Sequence, residues 1–153
     1  MKTLSYALML MITMTAFPVL LSAETAHPPL SRERQDFIKT NLLAGLEHSS
    51  TEVRAQYVQL IIELKRAYPQ YDFDYAIIPL MSTLKNEENC GMRILAALAL
   101  YEFPHSRKGR FAIEQTARHC DSQRLARHCT TLLRKWNDRE EHPAYTAQVV
   151  FPF

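Results

Sequence analysis

The chain has 153 residues, of which 47% are hydrophobic and 22% charged, with only three glycines and a formal net charge of +2. That length suits one domain with a continuous core and is too short to divide into two. So small a net charge nominates no class of partner, and the alternation of β-branched with polar residues that a sheet requires is missing before Gln148.

At the start of the chain, Lys2 supplies a short positive segment and Leu4 to Leu21 is almost wholly apolar and free of charge. Leu21-Ser22-Ala23 then places small residues where a signal peptidase would cut, so residues 1–23 are read as a secretion signal. Thr13, Thr15 and Pro18 favour cleavage over the alternative, an uncleaved N-terminal membrane anchor. Cleavage removes Lys2 and no acid, leaving 17 basic and 16 acidic side chains and no stable membrane span. The mature chain is expected across the inner membrane, in the periplasm.

Residues 24–30, with Pro28-Pro29, read as an extended lead-in, and Ser31 is placed to cap a first helix of about sixteen residues bearing Phe37, Ile38, Leu42, Leu43 and Leu46. The polar turn His48-Ser49-Ser50-Thr51 caps a second helix, which stops at Tyr68-Pro69 because proline disfavours helical geometry before it and removes a donor. Asp72 or Asp74 is expected to cap a third helix carrying Ile77, Leu80, Met81 and Leu84. After Asn86-Glu87-Glu88-Asn89 a fourth runs until Pro104, and after Ser106 a fifth carries Phe111, Ile113 and Ala117. The sixth follows Asp121-Ser122 and reaches about Asn137.

The second, fourth and sixth helices share one template, with apolar or small residues at steps 0, 4, 7, 8 and 11. They are Val53, Tyr57, Leu60, Ile61 and Leu64; Met92, Ala96, Ala99, Leu100 and Phe103; and Leu125, Cys129, Leu132, Leu133 and Trp136. The templates start 39 and then 33 residues apart, a spacing of two-helix solenoid repeats rather than of coiled-coil heptads. Because each helix has one apolar stripe to bury, an all-α solenoid of about three stacked hairpins is expected over residues 31–137, with a C-terminal tail, residues 138–153, packing on it.

Ala76-Ile77-Ile78-Pro79-Leu80 with Leu84 resembles the proline-bearing first helix of a HEAT-like repeat. Val53-Arg54 and Met92-Arg93-Ile94-Leu95-Ala96-Ala97-Leu98 resemble the hydrophobic-Arg start and alanine-rich body of its second helix. The resemblance runs from about Phe37 to Trp136 and includes the short bacterial variety related to phycobilisome-lyase repeats. Departures occur at Ala126, where the other two units have arginine, and in the first two units, which lack the family's frequent turn aspartate. The resemblance implies a right-handed, armadillo-like helical stack whose concave face binds proteins or peptides, usually without catalysis.

Charge is unevenly divided along the chain. Glu47 to Phe103 holds eight acids and five basic residues, whereas His105 to Trp136 holds eight basic residues and only two acids, Glu114 and Asp121. On the last helix Arg124, Arg127 and Arg134 with Lys135 fall opposite the apolar stripe, an anion-binding face for an acidic protein segment, a phosphorylated envelope lipid or a polyanion, or else a solvated outer face. Along the groove expected to be lined by the second helices of the pairs, Arg54, Arg93, Arg124, Arg127 and Arg134 are the candidate partner-binding residues. Nucleic acid fits poorly, since no aromatic residues interleave with the basic ones as a stacking platform would need.

Cys129 sits at a core step of the template, while Cys90 and Cys120 both lie near turns joining paired helices. The latter two are the pair to test for a disulfide, which requires Cα atoms within about 7 Å, against the alternative of separate thiols. His119-Cys120 and His128-Cys129 carry metal-ligating donors, but the pairs start nine positions apart and no Cys-x-x-Cys or histidine pair at a helical step supports a site. No catalytic, cofactor or metal residue is assigned. Tyr68, Tyr71, Phe73 and Tyr75 are expected to pack the junction between the first two units, and the apolar stretch Tyr145 to Phe153 to cover an end or groove of the stack or dock on a partner. The function expected is an exported, non-enzymatic scaffold for protein-protein interaction in the bacterial envelope. The alternatives are an enzyme accessory like the lyase-type repeat proteins, or a periplasmic metal-handling protein.

Overall fold

The structure, a computed structural model, describes residues 30–141, and within them the chain is all-helical. The helices are α1 (Arg32–Leu46), α2 (Thr51–Ala67), α3 (Ile77–Asn86), α4 (Cys90–Tyr101), α5 (Arg107–His119) and α6 (Gln123–Glu141), with a 3-10 turn at Asp74–Ala76 leading into α3. The secretion signal read over residues 1–23, most of the lead-in and the apolar stretch Tyr145 to Phe153 lie outside the described residues. The last helix reaches Glu141 rather than about Asn137, so residues 138–141, read as the start of the tail, belong to α6.

Short polar side chains start five of the six helices by accepting hydrogen bonds from first-turn amides that have no intrahelical partner. Ser31 Oγ accepts from Arg34 N at 3.4 Å, Ser50 Oγ from Val53 N at 3.4 Å and Ser106 Oγ from Gly109 N at 3.0 Å. Asn89 Oδ1 accepts from both Gly91 N and Met92 N, and Ser122 Oγ from Leu125 N. α3 is the exception, and the expectation that Asp72 or Asp74 would cap it is corrected. Asp72 Oδ1 accepts from Asp74 N at 2.7 Å instead, which starts the 3-10 turn, and no side chain caps α3. The turn makes the cap redundant: Phe73 O and Asp74 O already take the amides of Ala76 and Ile77, and Pro79 has no N–H to satisfy.

Helices adjacent in sequence pack as pairs, α1 on α2, α3 on α4 and α5 on α6. The second members also touch in order, α2 to α4 to α6, while α3 touches both α1 and α5. α4 therefore meets α2, α3, α5 and α6. That explains its composition, because Ala96, Ala97 and Ala99 are all fully buried and their small side chains let neighbours approach from several sides.

The template residues supply about half of the core. Met92, Ala96, Ala99, Leu100 and Phe103 are all buried, as are Leu125, Cys129, Leu132 and Trp136, with Leu133 partly so. In α2 the register differs, since Ile61 is buried but Leu60 is 39% exposed and Val58, off the template, is fully buried. α2 packs on α1 and α4 through an arc that centres on Val58 and Ile61. Phe37 and Phe111 were also expected among apolar stripes, yet are 71% and 58% exposed, because Leu42 and Leu46 in α1 and Gly109 and Ile113 in α5 hold the inward positions.

Two local contacts fix how neighbours meet. Gly45 of α1 lies against the ring of Tyr57 of α2, so closely that a Cβ there would stand 2.2 Å from the ring Cγ. At the junction after α2, Tyr68 and Tyr71 stack edge-on at 5.8 Å, Phe73 is buried, and Tyr71 Oη accepts from Leu30 N at 2.6 Å. The aromatic cluster thus packs the junction as expected. Burial, and then the charge of Asp72, push the Tyr75 hydroxyl up to about 12.

Candidate partner-binding surface

The five candidate arginines separate into two groups. Arg54 and Arg93 each occupy the residue after the first template position, and each reaches back to the end of the preceding helix, where carbonyls lack amide partners. Arg54 Nη1 donates to His48 O at 2.8 Å and Ser49 O at 2.9 Å. Its Nη2 donates to Thr51 Oγ1 at 3.1 Å and forms an ion pair with Glu87 Oε2 at 2.6 Å, with both side chains largely buried. Arg93 Nε donates to Leu84 O at 2.8 Å, near the end of α3. A guanidinium suits this work because its fork serves several acceptors in fixed directions. Both arginines are committed to internal partners, and Arg54 also ties the first pair of helices to the second through Glu87.

Arg124, Arg127 and Arg134 are brought together on α6. All three, with Lys135, are exposed, and among the described residues none of the four takes part in an ion pair. The reason is helical geometry: Leu125, Cys129, Leu132 and Trp136 turn toward α4 and α5, which leaves the opposite arc to water. Trp136 anchors the helix, packing edge-on against Tyr101 at 5.7 Å and donating from Nε1 to Pro104 O at 3.2 Å. On the outer arc an open depression of about 500 Å³ is lined by Gln123, Arg124, Arg127, His128 and Thr131.

Other basic side chains near this face are engaged. Arg118 pairs with Glu114 one turn before it, Arg110 Nη2 donates to Asn137 Oδ1 at 2.8 Å, and the Arg139 guanidinium lies 4.3 Å above the Tyr101 ring. The cationic patch therefore narrows to one arc of α6.

Cys90, Cys120 and Cys129 are free thiols. Cys129 is fully buried, and burial, with Cys120 adding and Arg93 opposing, pushes its thiol up to about 11, so it is a packing residue and a poor nucleophile. Cys90 Sγ lies 3.4 Å from Ser122 Oγ, which brings the start of α4 beside the turn that holds Cys120. His119 and His128 are exposed, and among the described residues no three His, Cys, Asp or Glu side chains are grouped to hold a metal ion. No helix of the described residues is long and apolar enough to cross a membrane.

Sequence reasoning missed two features. Glu87, read only as part of a turn, is the partly buried partner of Arg54; a carboxylate in the turn 33 residues after an arginine is no signal by itself. The groove between α3 and α5, bordered by the exposed Ile78 and Phe111, was also unforeseen, although Ile77-Ile78 cannot both face inward on one helix.

Compared with known proteins, the chain matches no protein-family model, no curated protein and no solved structure.

Proposed function

We propose that this chain is an exported, non-enzymatic α-solenoid of three HEAT-like hairpins, a scaffold of the bacterial cell envelope that binds an acidic segment of a partner protein through the outer arc of α6. The pairwise packing supports the first half: paired helices in sequence order, with second members in one row, are what repeats stacked side by side require. The observation that carries the second half is the set of exposed, unpaired basic side chains Arg124, Arg127, Arg134 and Lys135 on a single arc. Arg54 and Arg93 earlier in the chain are consumed in holding helix ends and turns, so this arc holds cations that can meet a ligand.

Each exposed ion pair contributes at most about 1 kcal/mol and is screened by salt, so recognition through three or four cations is modest and salt-dependent. Fluorescence anisotropy with a labelled Glu/Asp decapeptide tests the reading. The expected result is binding that weakens steeply between low and physiological salt, and falls at least tenfold in the Arg124→Glu/Arg127→Glu/Arg134→Glu variant. Arg107→Glu/Lys108→Glu, off this arc, should leave affinity within about twofold. Equal affinity in both variants, or no binding at low salt by the parent, removes the role assigned to α6.

A further inference from the structure

The groove between α3 and α5 lies on the first-helix side of the molecule, away from the basic arc of α6. It has a volume of about 710 Å³ and is lined by Ile78, Met81, Leu84, Phe111 and Ala112 among others. Ile78 and Phe111 are 57% and 58% exposed, a costly display of apolar surface for a helix face with nothing on it. We propose that this groove is the seat of the chain's own C-terminal segment, Tyr145 to Phe153.

Geometry brings that segment to the groove. Asn137 of α6 accepts from Arg110 at 2.8 Å and Trp136 donates to Pro104 O, so the final turns of α6 run beside the first turn of α5. Phe111 is the next residue after Arg110. α6 ends at Glu141, about 6 Å further on, and 12 residues follow it, enough to span up to about 40 Å. From Phe111 to His119 the groove follows nine residues of α5, about 14 Å of helix. His142 to Ala144 can therefore pass over the start of α5, with ample chain left to fill the groove.

Chemistry matches as well. Residues 143–153 contain no acidic or basic side chain, so the segment brings no side-chain charge into the groove, whose lining also includes Lys85, Arg93 and His119. Tyr145, Ala147, Val149, Phe151 and Phe153 recur at every second residue and would share one face of an extended segment. Ser82 and Gln115, also lining the groove, offer polar groups for the backbone of that segment. The seated segment would cover Ile78 and Phe111, leaving the basic arc of α6 as the open recognition surface.

A photo-cross-linker tests this in the full chain. With p-benzoylphenylalanine in place of Phe151, irradiation of the dilute protein should give intramolecular links, mapped by mass spectrometry, to the peptides containing Met81 or Phe111. Links to a second copy of the chain, links elsewhere on the same chain, or no links overturn the proposal. As an independent readout, Phe151→Asp/Phe153→Asp should raise the fluorescence of an added hydrophobic dye severalfold with the helical circular dichroism unchanged, and adding Ile78→Ser/Phe111→Ser should abolish the gain. A dye signal already high in the parent and unmoved by the tail substitutions means that the groove is open, which also overturns it.

Discussion

Replacing Gly45 with alanine should destabilise the protein, against the usual trend. Gly→Ala within a helix normally stabilises by up to about 1 kcal/mol, because it removes backbone freedom from the unfolded chain. Here the added Cβ would stand 2.2 to 2.3 Å from Cγ, Cδ1 and Cδ2 of Tyr57, where van der Waals contact needs about 3.5 Å or more. The clash is with the root of the ring, so rotating the ring about its own axis does not clear it. Tyr57 must leave its rotamer or α1 must separate from α2 by more than an ångström. Overpacking of this kind costs about 1–3 kcal/mol, and a clash this close lies at the upper end, so it outweighs the helix gain and leaves a net loss of about 2 kcal/mol. In a Tyr57→Ala background the obstruction is gone, and the same Gly45→Ala change should become neutral or stabilising. Urea unfolding followed by the fluorescence of Trp136, the one tryptophan in the chain and 1% exposed, reads both backgrounds. Stabilisation by Gly45→Ala in the parent, or the same effect in both backgrounds, would show that α1 and α2 do not meet at this contact.

Arg54→Ala should cost about 2 kcal/mol in the same assay, because it strands Glu87 and several carbonyls at once, and Arg54→Lys should recover little of it, since an ammonium cannot serve that spread of acceptors. Combining it with Glu87→Gln should cost less than the two single changes together. A disulfide-exchange reagent at pH 8 should titrate two thiols in the native protein and a third only after unfolding, when Cys129 is released. The raised pKa of Cys129 also fixes a sign. Between pH 9 and about 11 the unfolded thiol ionises while the native one stays protonated, so stability falls as pH rises through that window. The stability difference between the parent and Cys129→Ala should shrink across it, and a constant difference would contradict the burial of this thiol.

Much of the fold was legible because the signals were local and redundant. Ser31, Ser50, Asn89 and Ser106 mark helix starts that the backbone uses, and the stripes of α4 and α6 match the faces those helices bury. The reading slipped where packing geometry decides between equivalent patterns. Leu60 and Val58 are both plausible members of a 3.6-residue stripe, and only the way α2 packs against α1 and α4 selects Val58. The 3-10 turn before α3 was hidden by two aspartates in the right places to cap a helix. For the candidate surface, sequence placed the cations of α6 correctly on the arc facing water. It could not separate them from Arg54 and Arg93, because helix-end carbonyls and Glu87 become partners only once the chain has folded.

The central claim is that recognition happens on the outer arc of α6, and amide chemical-shift mapping tests it most directly. Titrating the ¹⁵N-labelled protein with the acidic decapeptide should shift Gln123, Arg124, Arg127, His128, Thr131 and Arg134 progressively, leaving the amides of α1 and α3 in place. Shifts concentrated along α3 and α5, or spread evenly over the surface, would contradict it.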